Sequence, residues 1–382
     1  MTRKLRVGVN LLWLVPGVVG GSERYAVNLL SKLVERDDIE VSAFALPSFA
    51  STYPELAAAA HSVIAPLPGG RHVVRRVVVE NAWLPRQFGE QRIEVAHHLG
   101  GLLPRCPVPA VVTLHDLQYL AYPEYFSAAK RRYLQFSQGR SLRRASSVTA
   151  ISAFTREDAI QAFNLDPAKV VVIPPVVTPI QIPDDAARTR AELGISRDFV
   201  FYPAAAYPHK NHETLLRAFA RVVADGHDID LVLTGATGAG AWGSAHATSP
   251  RVTALAAQLG VSDRVRALGY VSTAQLAALY SGTVVLAFPS RFEGFGLPVA
   301  EAMSAGCPVI AADATALPAL VGDGGVLVDP DDVDGWAREM ARVIGGPVVR
   351  KELADAGRAR FAELAAADSV ERLVDVYRKA AA

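Results

Sequence analysis

Short apolar runs alternate with amphipathic segments along almost the whole chain. The runs are rich in β-branched residues and predict strands, whereas the segments between them, at 22–35, 73–88, 128–144 and 155–163 for example, predict helices. In the first half the strand-like runs are RVGVN (6–10), VSAFA (41–45), IEVAHH (93–98), AVVTLH (110–115), SVTAIS (147–152) and VVVIP (170–174). In the second half they are FVFYP (199–203), IDLVLTG (229–235), RVRALGY (264–270), TVVLAFP (283–289), CPVIAA (307–312) and GVLVD (325–329). This alternation predicts an α/β fold with parallel sheets covered by helices on both faces.

The segment PPVVTPIQIP (174–183) interrupts this alternation. It has four prolines in ten residues and no periodicity, as in a stiff linker, and the strand–helix pattern starts again after it. We therefore predict two doubly wound domains, residues 1–175 and 176–365, followed by a helix at 366–382 that could cross back to the first domain. Ligands of such sheets bind outside the carboxyl ends of the strands, so the expected active site is a cleft between the domains.

Composition is that of an ordinary globular protein. The chain has 382 residues, of which 51% are hydrophobic and 20% charged, a balance that disfavours disorder. Cys106 and Cys307 match no metal or redox spacing, which indicates buried thiols in a reducing, cytoplasmic environment. No apolar run approaches the length of a membrane span and the N-terminus lacks a signal peptide, so we expect a soluble protein that at most lies on a membrane.

Charge is unevenly distributed along the chain. Residues 1–175 hold 20 Lys and Arg against 14 Asp and Glu, a net charge of +6, whereas the remainder carries −5. Basic residues cluster in RHVVRR (71–76), with Arg86, and in KRRYLQFSQGRSLRR (130–144), and apolar residues lie among them. Two interpretations remain equal: a solvated helix face, or a surface that docks on anionic lipid headgroups at the inner face of a membrane. No nucleic-acid-binding motif accompanies the clusters, so no nucleic acid partner is expected.

The segment FEGFGLPVAEA (292–302) joins a predicted strand to a predicted helix. Its glycines allow close approach of the backbone to a ligand, and Pro298 suits the first helical turn. The N-terminus of that helix offers unpaired N–H groups and positive dipole character, which favour a phosphate. Glu293 and Glu301 stand eight positions apart around this kink. Either could simply face solvent, but together they can address one extended ligand.

Three further segments carry candidate chemistry. Lys210 in PHKNHETLLRAF (208–219) precedes a predicted helix and suits a diphosphate clamp, although a lone lysine is usually just solvated. His115 in TLHDLQYL (113–120) ends a strand, and Asp116 either orients the imidazole or caps the next turn. Gly20 and Gly21 in VPGVVGGSERY (15–25) lie before a helix predicted to be capped by Ser22, and form either a flexible turn or a loop that approaches phosphate or acceptor.

Two other patterns suggest chemistry only weakly. TGATGAGAWG (234–243) is similar to a dinucleotide-binding fingerprint, but it lacks a directly following helix and a matching acidic residue, so we interpret it as a loop. Asp228 and Asp230 are spaced like a metal-binding pair, yet they precede a strand. We therefore interpret them as a surface turn.

Residues 290–332, SRFEGFGLPVAEAMSAGCPVIAADATALPALVGDGGVLVDPDD, closely resemble the signature region of glycosyltransferase family 4. The resemblance extends over nearly the whole chain and includes the E-x7-E pair. It implies the GT-B fold, with two Rossmann-like doubly wound domains facing each other across a cleft, and a retaining mechanism. It also implies that Glu301 binds the ribose hydroxyls of a nucleotide sugar and that Glu293 faces the donor sugar. Backbone N–H groups near sugar and diphosphate would belong to Gly294, Phe295, Gly296 and Leu297.

The same resemblance assigns the other candidates. His115 would contact the donor sugar from the first domain, Lys210 would meet the leaving diphosphate, and the loop of Gly20 and Gly21 would adjoin the ligand. Donor binding would also involve the strand-end positions Gly235, Tyr270 and Val271, with the base selected near the last two. Many family members carry an arginine about six residues before the lysine, whereas this chain has PAAAYP (203–208). That departure leaves Lys210, helped by His209, to meet the leaving-group charge.

The expected activity is that of a hexosyltransferase in polysaccharide biosynthesis. It would move a sugar from a GDP-, UDP- or ADP-sugar to a hydroxyl of a glycan or lipid-linked acceptor, with no metal and no cofactor. The forms YPHKNHE (207–213) and LHDLQYL (114–120) look like those of polysaccharide mannosyltransferases and favour GDP-mannose. A nucleotide-sugar epimerase of the same fold and a non-catalytic sugar-nucleotide-binding relative remain alternatives. A glycosidase is disfavoured because its two carboxylates lie on facing walls of a cleft.

Overall fold

The computed structural model describes residues 3–67, 73–235 and 249–382. The chain divides into two compact units, one formed by Met1–Val176 with Asp368–Ala382 and the other by Val177–Ala367. Each described unit is a parallel sheet with helices, so the predicted α/β fold with two doubly wound, Rossmann-like domains is confirmed.

The first unit is built on a parallel sheet of seven described strands, in the order β3-β2-β1-β4-β5-β6-β7. The strands are β1 (Leu5–Asn10), β2 (Ile39–Ala45), β3 (Val63–Ile64), β4 (Val95–His98), β5 (Ala110–Leu114), β6 (Ser147–Ala150) and β7 (Val170–Val172). The helices are α1 (Gly21–Val34), α2 (Pro47–Thr52), α3 (Pro54–Ala59), α4 (Val73–Glu90), α5 (Gln118–Ala121), α6 (Ala128–Arg144) and α7 (Ala153–Phe163), joined by the C-terminal helix α16 (Ser369–Ala381). Strand order reverses between β1 and β4, which creates a crevice at their carboxyl ends.

Helix α16 belongs to the first unit because of a polar contact as well as apolar packing. Tyr377 is fully buried, and its hydroxyl lies 2.6 Å from Nδ1 of His97 on β4. Nε2 of the same ring is 2.7 Å from Oγ1 of Thr113, which in turn is 2.8 Å from Oγ1 of Thr149. Burial, with smaller contributions from neighbouring histidines, lowers the pKa of His97 to about 3, so this ring is neutral in the folded protein.

The second unit is a parallel sheet of six described strands, in the order β10-β9-β8-β11-β12-β13. The strands are β8 (Phe199–Pro203), β9 (Asp230–Thr234), β10 (Val265–Gly269), β11 (Val285–Phe288), β12 (Val309–Ala312) and β13 (Val326–Val328). The helices are α8 (Ala186–Glu192), α9 (His212–Ala224), α10 (Ser249–Gln258), α11 (Thr273–Gly282), α12 (Leu297–Ser304), α13 (Leu317–Val321), α14 (Val333–Gly345) and α15 (Pro347–Ala365). Here the order reverses between β8 and β11, so the ligand crevice of this sheet lies where these two strands end.

Every predicted strand run overlaps a strand. β1 and β2 begin one and two residues before their runs, β8 matches its run, and the other strands are one to three residues shorter than theirs. The predicted helix at 128–144 coincides with α6. The two-residue strand β3 has no signal in the apolar pattern. Residues 236–243 of TGATGAGAWG, and residues 71 and 72 of RHVVRR, lie outside the described residues. No helix in the described ranges combines the length and the apolar character that a bilayer crossing requires.

The interpretation of Asp228 and Asp230 as a surface turn is correct for Asp228 only. The Asp228 side chain is 72% exposed, whereas that of Asp230, the first residue of β9, is 4% exposed. Guanidinium nitrogens of Arg197, Arg266 and Arg264 lie 3.5, 3.6 and 3.8 Å from its carboxylate. A buried carboxylate requires such compensation, and arginines distant in sequence supply it at the amino-terminal edge of the sheet.

Candidate functional site

The FEGFG motif, residues 292–296, lies between β11 and α12 at the carboxyl edge of the second sheet, and we call these residues the motif loop. Gly294, Phe295 and Gly296 are buried, and Gly296 has φ +104°, a conformation that favours glycine. A Cβ at Gly296 would lie only 2.7 Å from Cδ2 of Leu317 and 2.9 Å from Cδ2 of Leu320. Helix α12 then starts at Leu297 with no side-chain cap. Glycine at this position therefore lets the loop pack against α13 and leaves the helix terminus without a side chain over it.

Lys210 and Glu293 are 83 residues apart in sequence, and the structure brings them into contact. Nζ of Lys210 lies 2.6 Å from Oε1 of Glu293, and the two side chains are 19% and 12% exposed. The Tyr202 hydroxyl, 2.6 Å away, donates to the carbonyl oxygen of Lys210. The arrangement places one cation and one anion together at the carboxyl edge of the second sheet, where its ligand crevice is expected.

Asn211 connects the turn that carries Lys210 to the segments that follow β11 and β13. It follows the short 3-10 turn Pro208–Lys210, has φ +58°, and its Oδ1 caps α9 by accepting from the Thr214 N–H at 3.4 Å. Its Nδ2 donates to the carbonyl oxygens of Pro289 at 3.2 Å and Pro330 at 2.6 Å. Asparagine tolerates the left-handed region and offers both donor and acceptor. These contacts have no local signal in the sequence, because their partners lie 78 and 119 positions away.

His209 does not share the positive charge of Lys210, contrary to the expectation from the sequence. The ring is 6% exposed and lies 5.8 Å from the Tyr207 ring, nearly parallel to it. Burial, with the nearby charge of Lys210 acting in the same direction, lowers the pKa of His209 to about 2. It is therefore neutral at physiological pH and contributes no positive charge to a diphosphate.

Glu301 lies in the second turn of α12, and a tyrosine that sequence reasoning missed holds its carboxylate. The Tyr280 hydroxyl donates to Oε2 of Glu301 at 3.0 Å. Tyr280 is fully buried on α11, and its ring makes an edge contact with Phe201 of β8 at 5.3 Å. A rigid buried donor fixes the direction of the carboxylate.

The predicted donor-binding positions at the ends of β9 and β10 lie beside each other. The Gly235 N–H donates to the carbonyl oxygen of Gly269 at 2.8 Å. A Cβ at Gly235, whose φ is +130°, would lie 2.7 Å from backbone atoms of Ala204 and Ala205. The three strand-end loops therefore pack too closely for a side chain at this position. After Gly269, the last residue of β10, Tyr270 is 78% exposed and Val271 is half-buried.

In the first unit, His115 directly follows β5. Its Nε2 donates to the carbonyl oxygen of Leu99 at 2.7 Å, and the rings of Tyr25 and Trp13 lie 5.0 and 6.2 Å away. Burial lowers the pKa of His115, although the Leu99 carbonyl opposes this. The imidazole is thus neutral, and because Nε2 carries the proton, Nδ1 is the acceptor. Oδ1 of Asp116 accepts from the Gln118 N–H at 3.0 Å, so this carboxylate caps the following turn.

The glycine loop of the first unit differs from the sequence prediction in its cap. Helix α1 begins at Gly21 after Gly20, whose φ is +64°, so Gly20 and not Ser22 occupies the cap position. The Glu23 carboxylate organises the loop instead: Oε2 accepts from the Gly17 N–H at 2.8 Å, and Oε1 from the Tyr53 hydroxyl at 2.7 Å. A Cβ at Gly20 or Gly21 would meet no described atom within 4 Å. Gly20 therefore serves backbone conformation rather than close packing, whereas a side chain at Gly21 would have room.

Comparisons with known proteins agree with this architecture. Residues 19–181 match the family model described as Glycosyltransferase Family 4, and residues 185–360 match Glycosyl transferases group 1. O-antigen chain mannosyltransferase B of Escherichia coli is 28% identical over 78% of this chain and 76% of its own length. D-inositol 3-phosphate glycosyltransferase of Segniliparus rotundus is 30% identical over 81% of this chain and 69% of its own length.

A solved structure shows the same fold over the whole molecule. HepE of Anabaena, determined in complex with UDP and glucose, has a TM-score of 0.73 at 20% identity, with 97% of this chain and 98% of that chain covered. At this identity the likeness concerns the fold. Together with the two matched family models, these findings confirm the predicted resemblance: the chain belongs to glycosyltransferase family 4 and is a glycosyltransferase with the GT-B fold.

Proposed function

We propose that the protein transfers a hexose, with retention, from a nucleotide sugar to a hydroxyl group of a glycan or lipid-linked acceptor. The observation that carries this proposal is the Lys210–Glu293 pair, held at the loop that leads into α12. Departure of a nucleoside diphosphate develops negative charge on the phosphate, and positive charge develops at the anomeric carbon. A cation, a helix N-terminus and an anion in one place match those two charges.

We assign each residue a role that its contacts support. Lys210 and the start of α12 stabilise the leaving diphosphate, and the carboxylate of Glu293 binds the donor sugar. Glu301, oriented by Tyr280, accepts hydrogen bonds from the ribose hydroxyls. We assign His115 to a hydroxyl of the donor sugar, which its unprotonated Nδ1 can accept. In this scheme the leaving phosphate removes the proton from the acceptor hydroxyl, and no metal or cofactor participates.

The donor we favour is GDP-mannose. Support comes from the similarity to an O-antigen chain mannosyltransferase and from the YPHKNHE and LHDLQYL segments. A UDP-sugar is the competing candidate, because a protein of the same fold was solved with UDP and glucose. Exposed Tyr270 and half-buried Val271 lie after the strand end where we expect the base.

A ligand screen tests the donor assignment. GDP-mannose should raise the melting temperature more than UDP- or ADP-sugars, since only a bound ligand stabilises the native state by mass action. Lys210→Ala should remove most of the shift. Lys351→Ala is the matched control, because Lys351 is 79% exposed and paired only with Asp355 among its described contacts. Stabilisation by none of the three nucleotide-sugar classes would contradict the proposal.

A product assay separates the proposal from its alternatives. Incubation of the donor with a polyprenyl-linked glycan should give a glycoside with the anomeric configuration of the donor, detected by nuclear magnetic resonance. An isomerised donor without transfer would instead identify the epimerase. Binding of the donor without any reaction, across lipid-linked and soluble acceptors, would favour the non-catalytic relative.

We further propose that the first unit contacts an anionic membrane surface at the cytoplasmic side. On α4, Val74 and Val78 are 79% and 60% exposed, and on α6, Tyr133 and Phe136 are 53% and 69% exposed. Exposed arginines lie among them, at positions 75, 132 and 140. Exposed apolar side chains mixed with cations favour a lipid interface, where each basic residue near the surface contributes about 1 kcal/mol.

One segment of the first unit connects the two helices. The segment 103–105 hydrogen-bonds to both: the Leu103 N–H donates to Oγ of Ser141 on α6 at 2.9 Å, and the Arg105 N–H to Oδ1 of Asn81 on α4 at 2.9 Å. Both helices follow strands of the same parallel sheet and start near its carboxyl edge, where His115 also lies. A membrane on this surface would bring a lipid-linked acceptor towards that edge.

A further inference from the structure

Thr315 has a backbone conformation that β-branched residues rarely adopt. Its φ is +54°, in the left-handed region. The other non-glycine residues with positive φ among the described residues are His61, Arg92, Asn164 and Asn211. None of these is β-branched. A strained backbone of this kind persists only where its surroundings hold it, and such positions concentrate at functional sites.

The surroundings of Thr315 join it to the motif loop. Thr315 lies between β12 and α13, and β12 pairs with β11, so its turn lies beside the loop that follows β11. Oγ1 of Thr315 accepts a hydrogen bond from the backbone N–H of Glu293 at 3.0 Å. At the other end of the loop, Leu317 and Leu320 of α13 pack against Gly296. The segment 315–320 therefore supports both ends of the loop.

We propose that Thr315 is a positioning residue that sets the backbone at Glu293 and thereby aims the Glu293 carboxylate at the donor sugar. This inference rests on the proposed function, because it assumes that Glu293 binds the sugar. The hydroxyl partners the Glu293 amide directly, so its loss leaves that N–H without its described acceptor and frees the loop to shift. The ribose site is supported separately, by Tyr280 and Glu301 on α11 and α12.

The consequence is a selective one. Loosening the loop at Glu293 should weaken recognition of the sugar without weakening recognition of the nucleotide. The ratio of two affinities, for the nucleotide sugar and for the free nucleoside diphosphate, measures this separation because the two ligands share the nucleotide. A general loss of folding would lower both affinities together.

Three substitutions at Thr315 separate its hydroxyl from its backbone strain. Thr315→Ser keeps the hydroxyl, Thr315→Val keeps the branched shape without it, and Thr315→Gly removes both hydroxyl and strain. We expect Thr315→Val and Thr315→Gly to lower the affinity ratio and kcat by about tenfold. This is the effect of losing one ordered hydrogen bond in a site that must be held within fractions of an ångström. We expect Thr315→Ser to retain the affinity ratio and kcat within about threefold. Thr315→Gly should melt no lower than Thr315→Val because glycine tolerates this φ.

Arg92→Gly is the matched control for strain, since Arg92 has φ +52° in the first unit. It should change neither affinity ratio nor kcat. Calorimetry with nucleotide sugar and nucleoside diphosphate, a transfer assay and a melting curve give the four readouts for every variant. An unchanged affinity ratio in Thr315→Val, or equal losses in Thr315→Val and Thr315→Ser, would overturn the inference. A parent protein that binds no nucleotide sugar would instead overturn the proposed function.

Discussion

The contact between Lys210 and Glu293 predicts an exchange of partners when the donor binds. In the unliganded protein the carboxylate neutralises the ammonium group at 2.6 Å. A diphosphate that binds Lys210 must compete with that carboxylate. Replacing Glu293 by glutamine keeps the shape and a hydrogen-bond acceptor but removes the negative charge. We therefore expect Glu293→Gln to bind a nucleoside diphosphate more tightly while it transfers sugar more slowly.

The magnitude follows from the burial of the pair. Two unit charges about 4 Å apart at an effective dielectric constant of about 20 attract by about 4 kcal/mol, of which desolvation cancels much. Side chains that are 19% and 12% exposed lie between a surface pair and a buried one. Glutamine can still accept a hydrogen bond from the ammonium group, so the substitution removes only the net attraction between the two unit charges and should release about 1 kcal/mol of competition. That free energy corresponds to about fivefold tighter diphosphate binding.

Calorimetric titration with GDP and UDP, beside a transfer assay, measures both effects. Glu293→Gln should also lower the melting temperature by about 2–4 °C, as expected for about 1 kcal/mol in a unit of this size. Glu213→Gln is the control: Glu213 is 65% exposed, pairs with Arg217 on α9, and should change neither binding nor transfer. Weaker or unchanged diphosphate binding in Glu293→Gln would refute the competition, and unimpaired transfer would refute the assignment of Glu293 to the donor sugar.

Three further predictions concern the other parts of the molecule. Glu301→Ala should weaken nucleotide binding at least tenfold, whereas His115→Ala should leave nucleotide binding unchanged and lower kcat. Unaltered nucleotide affinity in Glu301→Ala would exclude the assignment of Glu301 to the ribose. The double variant Val78→Asp with Phe136→Asp should sediment less with vesicles that contain phosphatidylserine. Both side chains are exposed, so transfer to a soluble acceptor should remain intact. Equal sedimentation of variant and parent would argue against the membrane surface. His97 has a folded-state pKa of about 3, below its value of about 6.5 in the unfolded chain, so the unfolded state binds more protons between these values. The contribution of His97 to the free energy of unfolding is therefore complete above about pH 6.5 and falls by up to about 1.4 kcal/mol per pH unit as the pH drops. Denaturant titrations between pH 7 and pH 4 should show a steeper loss of stability in the parent protein than in His97→Gln.

Local pattern was sufficient to predict most of the secondary structure. Apolar runs of five to seven residues in this chain are bounded by glycine, proline and charged residues, and apolar positions in the helical segments recur every three or four residues. The signals for β5 and α6 are therefore contained within the elements themselves. The same holds for the loop 293–296, where glycine spacing, Pro298 and the following helix are all local. Helix capping was less predictable. Serine is a preferred N-cap residue, but α1 begins at Gly21, before Ser22, where Gly20 has a positive φ and Glu23 binds the preceding loop.

Local pattern predicts the α/β alternation, and it singles out the proline-rich segment and the residues that carry candidate chemistry. Which side chains meet around those residues depends on the folded structure. Lys210 reaches Glu293 across 83 positions, Tyr280 reaches Glu301 across 21, and Thr315 reaches the amide of Glu293 across 22. The physical reason is that parallel strands bring distant loops to one sheet edge, where a side-chain contact depends on register and burial. Register and burial are properties of the whole sheet, so the neighbours of one residue in the chain do not determine them.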